Sequence, residues 1–279
     1  MSEQSRLRIL VTNDDGIDSP GIHDLASAVA AACDVVVAAP AREASGSSAS
    51  ITAVATTGRI AERQHMPDAD VLAWYAVDAT PAFITLMALH GTFGPPPDVV
   101  LSGTNRGANA GHAVLHSGTV GAALTACAAG RRAMAVSLDL RDNPDVATAH
   151  REESRYWSSA SSVAAFLLPA LLDLPPGTVL NVNVPDLPTD RIGGIRVARL
   201  GGFGRVQIME TVPDGLLRIS LEDPAVVPHG SDMALLAQDF ATVTALRPVS
   251  DAGLTVPTEG WPNRAASVAG PATDRTAPA

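Results

Sequence analysis

Ile9-Leu10-Val11-Thr12-Asn13-Asp14-Asp15-Gly16 is the stretch on which the fold turns. A short apolar run, an abrupt turn and then a helix-like segment predict the first strand and first βα loop of an open α/β sheet. Ligands of such sheets bind beyond the carboxyl ends of the strands. Two adjacent carboxylates placed there repel each other and are costly to hold close without a cation between them. A hard divalent ion such as Mg²⁺ or Mn²⁺, which prefers oxygen ligands, answers that requirement.

Outward from this stretch, the pattern keeps alternating. Leu7 to Thr12 predicts a strand and Pro20 to Ala32 a helix, with Ser19 as N-cap and Pro20 at the first helical position. Asp34 to Ala39, with three valines in a row, predicts a buried parallel strand ended by Pro40. Trp74 to Val77, Asp98 to Leu101, Ala133 to Leu138 and Val179 to Val184 predict further strands. Thr80 to Leu89, Ser117 to Ala129 and Glu153 to Leu172 predict helices. The expected fold class is therefore α/β: a Rossmann-like, mostly parallel sheet flanked by helices.

After Pro185, Ile195 to Leu200, Gln207 to Val212 and Leu216 to Leu221 alternate as antiparallel strands would, with Asp214-Gly215 as a hairpin turn. Asp232 to Ala237 predicts a short helix and Ala241 to Leu246 a returning strand. This divides the chain into a catalytic domain, residues 1–186, and a β extension, 187–250. The Ala-, Pro- and Gly-rich tail, 251–279, is expected to be mobile.

Composition narrows the function. The chain has 279 residues, enough for a substantial core, and 46% hydrophobic with 17% charged residues places it among globular proteins rather than disordered ones. The apolar run from Val163 to Leu172 is too short to span a bilayer, and Met1 to Leu10 lacks the apolar core of a signal peptide. The expectation is a cytoplasmic protein, with Cys33 and Cys127 as buried thiols. The 19 basic residues against 29 acidic ones leave a net charge of −10, which disfavours nucleic-acid polymers and anionic membranes as partners. All 19 are arginine. Without lysine, the P-loop NTPases, protein kinases and Schiff-base enzymes are excluded.

Three loops at strand carboxyl ends carry small oxygen-bearing side chains: Asp14 and Asp15, then Ser45 in Ser45-Gly46-Ser47-Ser48, then Asn105 in Ser102-Gly103-Thr104-Asn105. In a parallel sheet these loops share one rim, and together they form an all-oxygen set suited to Mg²⁺, Mn²⁺ or Ca²⁺. Ser117-Gly118-Thr119 at a helix start offers backbone N–H groups, two hydroxyls and the positive dipole end to an anion. Each piece alone is more often a turn or a cap; their meeting on one rim is what points to hydrolysis of a phosphate monoester.

These residues resemble the SurE family of metal-dependent 5′/3′-nucleotidases. The resemblance lies in Ile9 to Ile17 with Ser19-Pro20-Gly21-Ile22, in Ala39-Pro40 through Ser45-Gly46-Ser47-Ser48, and in Ser102 to Gly111 followed by Ser117-Gly118-Thr119-Val120. Asn181-Val182-Asn183-Val184-Pro185 and Gly194-Ile195-Arg196-Val197 continue it, over about residues 7 to 247. The resemblance implies one divalent ion per subunit held by Asp14, Asp15, Ser45 and Asn105, with Asp14 and Asp15 the catalytic carboxylates. It implies phosphate contacts from Asn13, Asn109, Ser117, Gly118 and Thr119; Gly46, Arg106 and His116 join the expected substrate-binding set from their places beside these residues. It further implies nucleoside monophosphates as substrates and a homodimer or homotetramer that exchanges the strands of the C-terminal extension.

Departures from the family pattern leave alternatives open. Gly111-His112-Ala113 replaces an acid-containing segment, His116 replaces a Tyr, and Ala79-Thr80-Pro81-Ala82-Phe83-Ile84 lacks the usual acid. A phosphatase for a phosphorylated sugar or secondary-metabolite intermediate is one alternative, and a non-catalytic nucleotide- or metal-binding protein another. His116 reads either as proton donor to the leaving alkoxide or as a polar substitution; with His112, four residues away, it could frame a second metal site that lacks a third ligand. Arg106 reads equally as a bidentate phosphate clamp or a solvated loop arginine. His229, in Pro228-His229-Gly230, reads as a turn residue.

Overall fold

Apolar strands and small-residue helices follow one another in chain order as β1 (Arg8–Thr12), α1 (Pro20–Ala30), β2 (Asp34–Pro40), β3 (Ala61–Gln64), β4 (Ala73–Val77), α2 (Pro81–Leu89) and β5 (Val99–Arg106). A 3₁₀ turn (Gly111–His116), α3 (Gly118–Ala128), β6 (Arg132–Asp139), α4 (Trp157–Asp173) and β7 (Val179–Pro185) continue the alternation. β8 (Ile195–Val197), β9 (Val206–Thr211), β10 (Leu217–Glu222), α5 (Asp232–Leu236) and β11 (Ala241–Leu246) complete it. This computed structural model describes residues 6–53, 60–64, 70–140, 155–202, 206–211, 217–222 and 227–252, with β9 and β10 described as backbone. The chain divides into Met1–Pro248 and Val249–Ala279. Residues 253–279, most of the expected tail, lie outside the described residues.

The main sheet runs β3-β4-β2-β1-β5-β6-β7-β11-β8. From β4 to β7 every pairing is parallel; β3 is antiparallel to β4, and β11 is antiparallel to β7. Both faces are covered, which is why strands such as Val35-Val36-Val37 are apolar throughout rather than alternating. Ile9, Val11, Val35, Val37 and Met134 pack toward Leu25 of α1 and Val163 of α4. Leu10, Val36, Val100 and Ala133 pack on the other face toward Ile84 of α2 and Val120 of α3. The α/β class expected from the pattern is the fold observed.

Three details differ. β5 does not end at Leu101 but continues to Arg106, because after a register shift between Ser102 and Asn105 it pairs β6 again. Asn105 thus sits on the last turnless residues of a strand rather than in a loop. β8 is three residues long and lies parallel, not antiparallel, to its neighbour β11. β3 carries no apolar alternation, being a polar edge strand, and nothing in its composition announces it. β9 and β10 do form the expected antiparallel pair, Thr211 opposite Leu217; Asp214-Gly215 lies outside the described residues. Cys33 and Cys127 are buried free thiols.

From β1 the chain crosses through α1 to β2 on one side, while β5 lies on the other. The carboxyl ends of β1 and β5 therefore flank the point where the strand order reverses, the place where open α/β sheets keep their ligands.

Candidate active site

The first loop is fixed by its own residues. The Asn13 side-chain amide donates to the Gly16 carbonyl at 2.9 Å and to Ser19 Oγ at 2.7 Å, and its Oδ1 accepts from the Gly16 N–H at 3.2 Å. Ser19 does occupy the N-cap of α1, but its hydroxyl serves Asn13 instead of capping the helix. These bonds hold the loop so that Asp14 and Asp15 emerge at the switch point, Asp14 only 3% exposed.

Asp14 accepts a hydrogen bond from the Thr119 hydroxyl, and the N–H groups of Gly118 and Thr119 also favour its charge, but burial outweighs them and raises its pKa. Asp15 accepts from the Arg106 backbone N–H at 2.9 Å. Burial nevertheless pushes it up to about 6; the Asp14 and Glu43 carboxylates add to the rise, while the Arg106 N–H and guanidinium oppose it. Two carboxylates lifted together by burial form a site whose charge calls for a cation.

Asn105 reaches the same spot. Its amide donates to the Gly107 carbonyl at 2.7 Å, which turns Oδ1 to within 3.3 Å of Thr119 Oγ1. Asp14, Asn105 and Thr119 thus meet, although 105 residues separate Asp14 from Thr119. Gly118 makes the approach possible: a Cβ there would lie 2.6 Å from Ser47 Oγ and 2.8 Å from Asp14 Oδ2. Ser47 Oγ is buried with no hydrogen-bond partner. Ser45 is exposed, and its hydroxyl donates to Glu43 at 2.8 Å. Gly46 lies beside it at the exposed tip of the same loop. The Ala44 N–H, bonded to the Asp14 carbonyl at 2.7 Å, ties that loop to the acidic pair.

The donor set is entirely oxygen: the buried Asp14 carboxylate, the half-buried Asp15 carboxylate, an amide carbonyl and an unpartnered hydroxyl. It fits a hard divalent cation and not zinc, and among the described residues no group of three His, Cys, Asp or Glu is poised for a metal. His112 and His116 are exposed and lie on a 3₁₀ turn, where positions four apart point about 120° away from each other, which disfavours a second metal site.

The third loop is held from outside. The Asn109 N–H donates to Asn183 Oδ1 at 2.7 Å, and its carbonyl accepts from the amides of Asn181 at 2.8 Å and Asn183 at 3.0 Å. Its own amide donates to Ser137 Oγ at 2.9 Å. Ser117 caps α3 by accepting from the Val120 N–H at 3.0 Å, which leaves its hydroxyl proton free to donate toward an anion. Ser48 Oγ bonds the Leu115 carbonyl at 2.7 Å and so joins the second loop to the third. Beside Ala44, a cavity of about 270 Å³ opens between the ends of β2 and β4, lined among others by Arg42, Asp78 and Thr80.

Ser47, Ser137, Asn181 and Asn183 come to the site without a role expected from the sequence. A signal for the last two exists: two amides two residues apart fall on one face of β7, a strand that is otherwise apolar and buried throughout.

Fold and site define a doubly wound α/β protein with an acidic pair and a helix N-terminus converging at its switch point. A family profile described as Survival protein SurE matches residues 9–205. The chain is 36% identical over 247 residues to a 5′-nucleotidase SurE of Marinomonas sp., covering 86% of this chain and 91% of that one. It is 36% identical over 265 residues to a 5′-nucleotidase SurE of Pseudomonas fluorescens, covering 91% and 98%. Among solved structures it is similar to the SurE protein of Aquifex aeolicus, with a TM-score of 0.71 and 29% identity over 88% of this chain and 95% of that one. The chain belongs to the SurE family. Among its described residues no helix is long and apolar enough to cross a membrane.

Proposed function

We propose that this protein is a divalent-metal-dependent phosphomonoesterase that hydrolyses nucleoside 5′- and 3′-monophosphates to nucleoside and phosphate. The observation that carries the reading is the convergence of buried Asp14, linked through the Thr119 hydroxyl to Asn105 Oδ1, with neighbouring Asp15 at the β1/β5 switch point, against the N-terminus of α3. The relatives named 5′-nucleotidase SurE support the nucleotide as substrate.

Asp14, Asp15, Asn105 and a serine hydroxyl of the second loop, Ser45 or Ser47, hold the ion. When bound, Mg²⁺ or Mn²⁺ supplies neutralisation of phosphate charge and a lowered water pKa. The Ser117 hydroxyl and Asn109 orient the phosphoryl group from the α3 side, and Arg106 adds positive charge at the rim. Asn13 acts through its loop bonds, fixing the carboxylates. Asp15 Oδ1, on a carboxyl raised by burial, accepts the proton of the attacking water; His116, exposed beside Ser117, donates one to the leaving alkoxide. The cavity beside Ala44 is the room the fold leaves for the leaving group. The extension around β8 to β10 is the segment for exchange between subunits in a cytoplasmic dimer or tetramer.

Phosphate release from nucleoside 5′- and 3′-monophosphates, sugar phosphates and p-nitrophenyl phosphate, each with Mn²⁺, Mg²⁺ or EDTA, tests this. Metal-dependent release preferring nucleotides is expected. Release from a sugar phosphate alone supports the specialised phosphatase, and nucleotide binding without release with any ion supports a non-catalytic protein.

A further inference from the structure

Asp232 opens α5, in the C-terminal part of the chain, yet its carboxylate is fully buried and faces the third site loop. Its Oδ2 accepts the Gly111 N–H at 2.7 Å, and its Oδ1 accepts those of Gly201 at 2.8 Å and Met233 at 2.9 Å. A second bond runs alongside, from the His112 N–H to the Gly202 carbonyl at 3.0 Å. Gly111 has φ +57, and a Cβ on it would lie 2.1 Å from the Gly202 carbonyl oxygen, so the loop docks there only because position 111 is glycine. Two residues before that contact sits Asn109, whose backbone is clamped by Asn183.

We infer that Asp232 is a positioning residue for phosphate binding: it anchors the downstream end of the loop, as Asn183 anchors the upstream part, and so fixes Asn109 against the substrate phosphate. The inference rests on the reading of Asn109 as a phosphate contact. It also places a determinant of substrate affinity in α5, 121 residues from the loop it holds. Replacing Asp232 by asparagine keeps the shape but confronts at least one of the three N–H groups with an NH₂ donor, since only one side-chain oxygen remains.

The test uses the full-length chain loaded with Mn²⁺. Asp232→Asn and Asn109→Ala, singly and together, are compared with wild type for KM and kcat on a nucleoside 5′-monophosphate. Inhibition by inorganic phosphate, Mn²⁺ affinity by calorimetry and thermal unfolding are measured alongside. Asp232→Asn is expected to raise KM and the phosphate inhibition constant by about tenfold or more, the size of a lost charge-assisted hydrogen bond, with Mn²⁺ affinity unchanged. In the Asn109→Ala background it is expected to add little further, because both changes remove one interaction. Fully additive effects, or equal losses in Mn²⁺ and phosphate affinity, overturn the inference. An inhibition constant unchanged in Asn109→Ala overturns the underlying reading of Asn109; a changed one there, with none in Asp232→Asn, overturns the role of Asp232 alone. If Asp232→Asn does not fold, hydrogen exchange on the wild-type chain decides: slow exchange of the Gly111 and His112 amides is expected, and exchange at loop rates overturns the inference.

Discussion

The first loop of the site takes its backbone shape mostly from its own residues, and the third takes its position from distant ones. The loop from Asn13 to Ser19 is shaped by bonds among its own residues that span three to six positions. Its carboxylates are then steadied from outside by the Arg106 N–H and the Thr119 hydroxyl. The loop from Gly107 to Ser117 is held by Asn181 and Asn183 on β7 and by Asp232 on α5, 72 to 121 positions away. The backbone of the first loop is set largely by its own residues, whereas a remotely held loop is positioned only once the sheet and its C-terminal elements are assembled. The acidic pair of the proposed ion site lies in the first kind of loop, and the proposed phosphate contact Asn109 in the second. Damage to distant residues is therefore expected to reach substrate affinity before it reaches the metal.

The largest effect is expected at the first loop's chemistry. Asp14→Asn removes a carboxylate buried against Thr119 and is expected to lower kcat by more than about a hundredfold, beyond what an outer partner of a metal ligand costs, while the far-ultraviolet circular dichroism is retained. Turnover within twofold of wild type would remove Asp14 from the site.

Asn183→Ala sharpens the contrast. It deletes two bonds to the Asn109 backbone and is expected to raise KM about tenfold, to cost about 1–3 kcal/mol of stability and to leave Mn²⁺ affinity unchanged. Steady-state kinetics and denaturant titration measure both; a variant that loses Mn²⁺ and substrate binding together would erase the distinction between the loops.

The acidic pair sets a pH dependence in the absence of metal. Burial raises Asp15 from an ordinary 3.8 to about 6, so between those values the folded chain holds its proton more tightly than the unfolded chain. Its ionisation therefore opposes folding at neutral pH, and that opposition fades as pH falls through 6 and is gone below about 3.8. In EDTA, Asp15→Asn is expected to be more stable than wild type at pH 7, by a margin that shrinks toward pH 4; urea midpoints at pH 7, 6, 5 and 4 follow it. A margin independent of pH contradicts the assignment. The smallest effect is expected at Ser19→Ala, which removes one acceptor from Asn13 and costs about 0.5–1.5 kcal/mol, with Asp14 still held by Thr119.

The same contrast explains what the sequence discloses. Asp14, Asp15, Ser117 and Thr119 are legible because a carboxylate pair after an apolar run and a hydroxyl at a helix start carry their chemistry in adjacent positions. Asn105 is legible as a residue but not in its placement, since β5 runs past Leu101 only because β6 offers it a partner after the register shift. Asp232 looks like an ordinary acidic first-turn residue of a short helix, and its contact with Gly111 is created by the returning strand β11 and the turn at Gly201 and Gly202. Ser47 and Ser45 cannot be ranked from sequence; only Gly118, with no Cβ, shows which hydroxyl lies beside Asp14.

Asp14 and Asp15 are the proposed ligands of a divalent ion at the β1/β5 switch point. Calorimetric titration of Mn²⁺ into the EDTA-stripped, re-dialysed chain and into Asp14→Asn tests this assignment most directly. One Mn²⁺ per chain in the wild type, lost in a folded Asp14→Asn, is the predicted result; the same stoichiometry and affinity in both would contradict it.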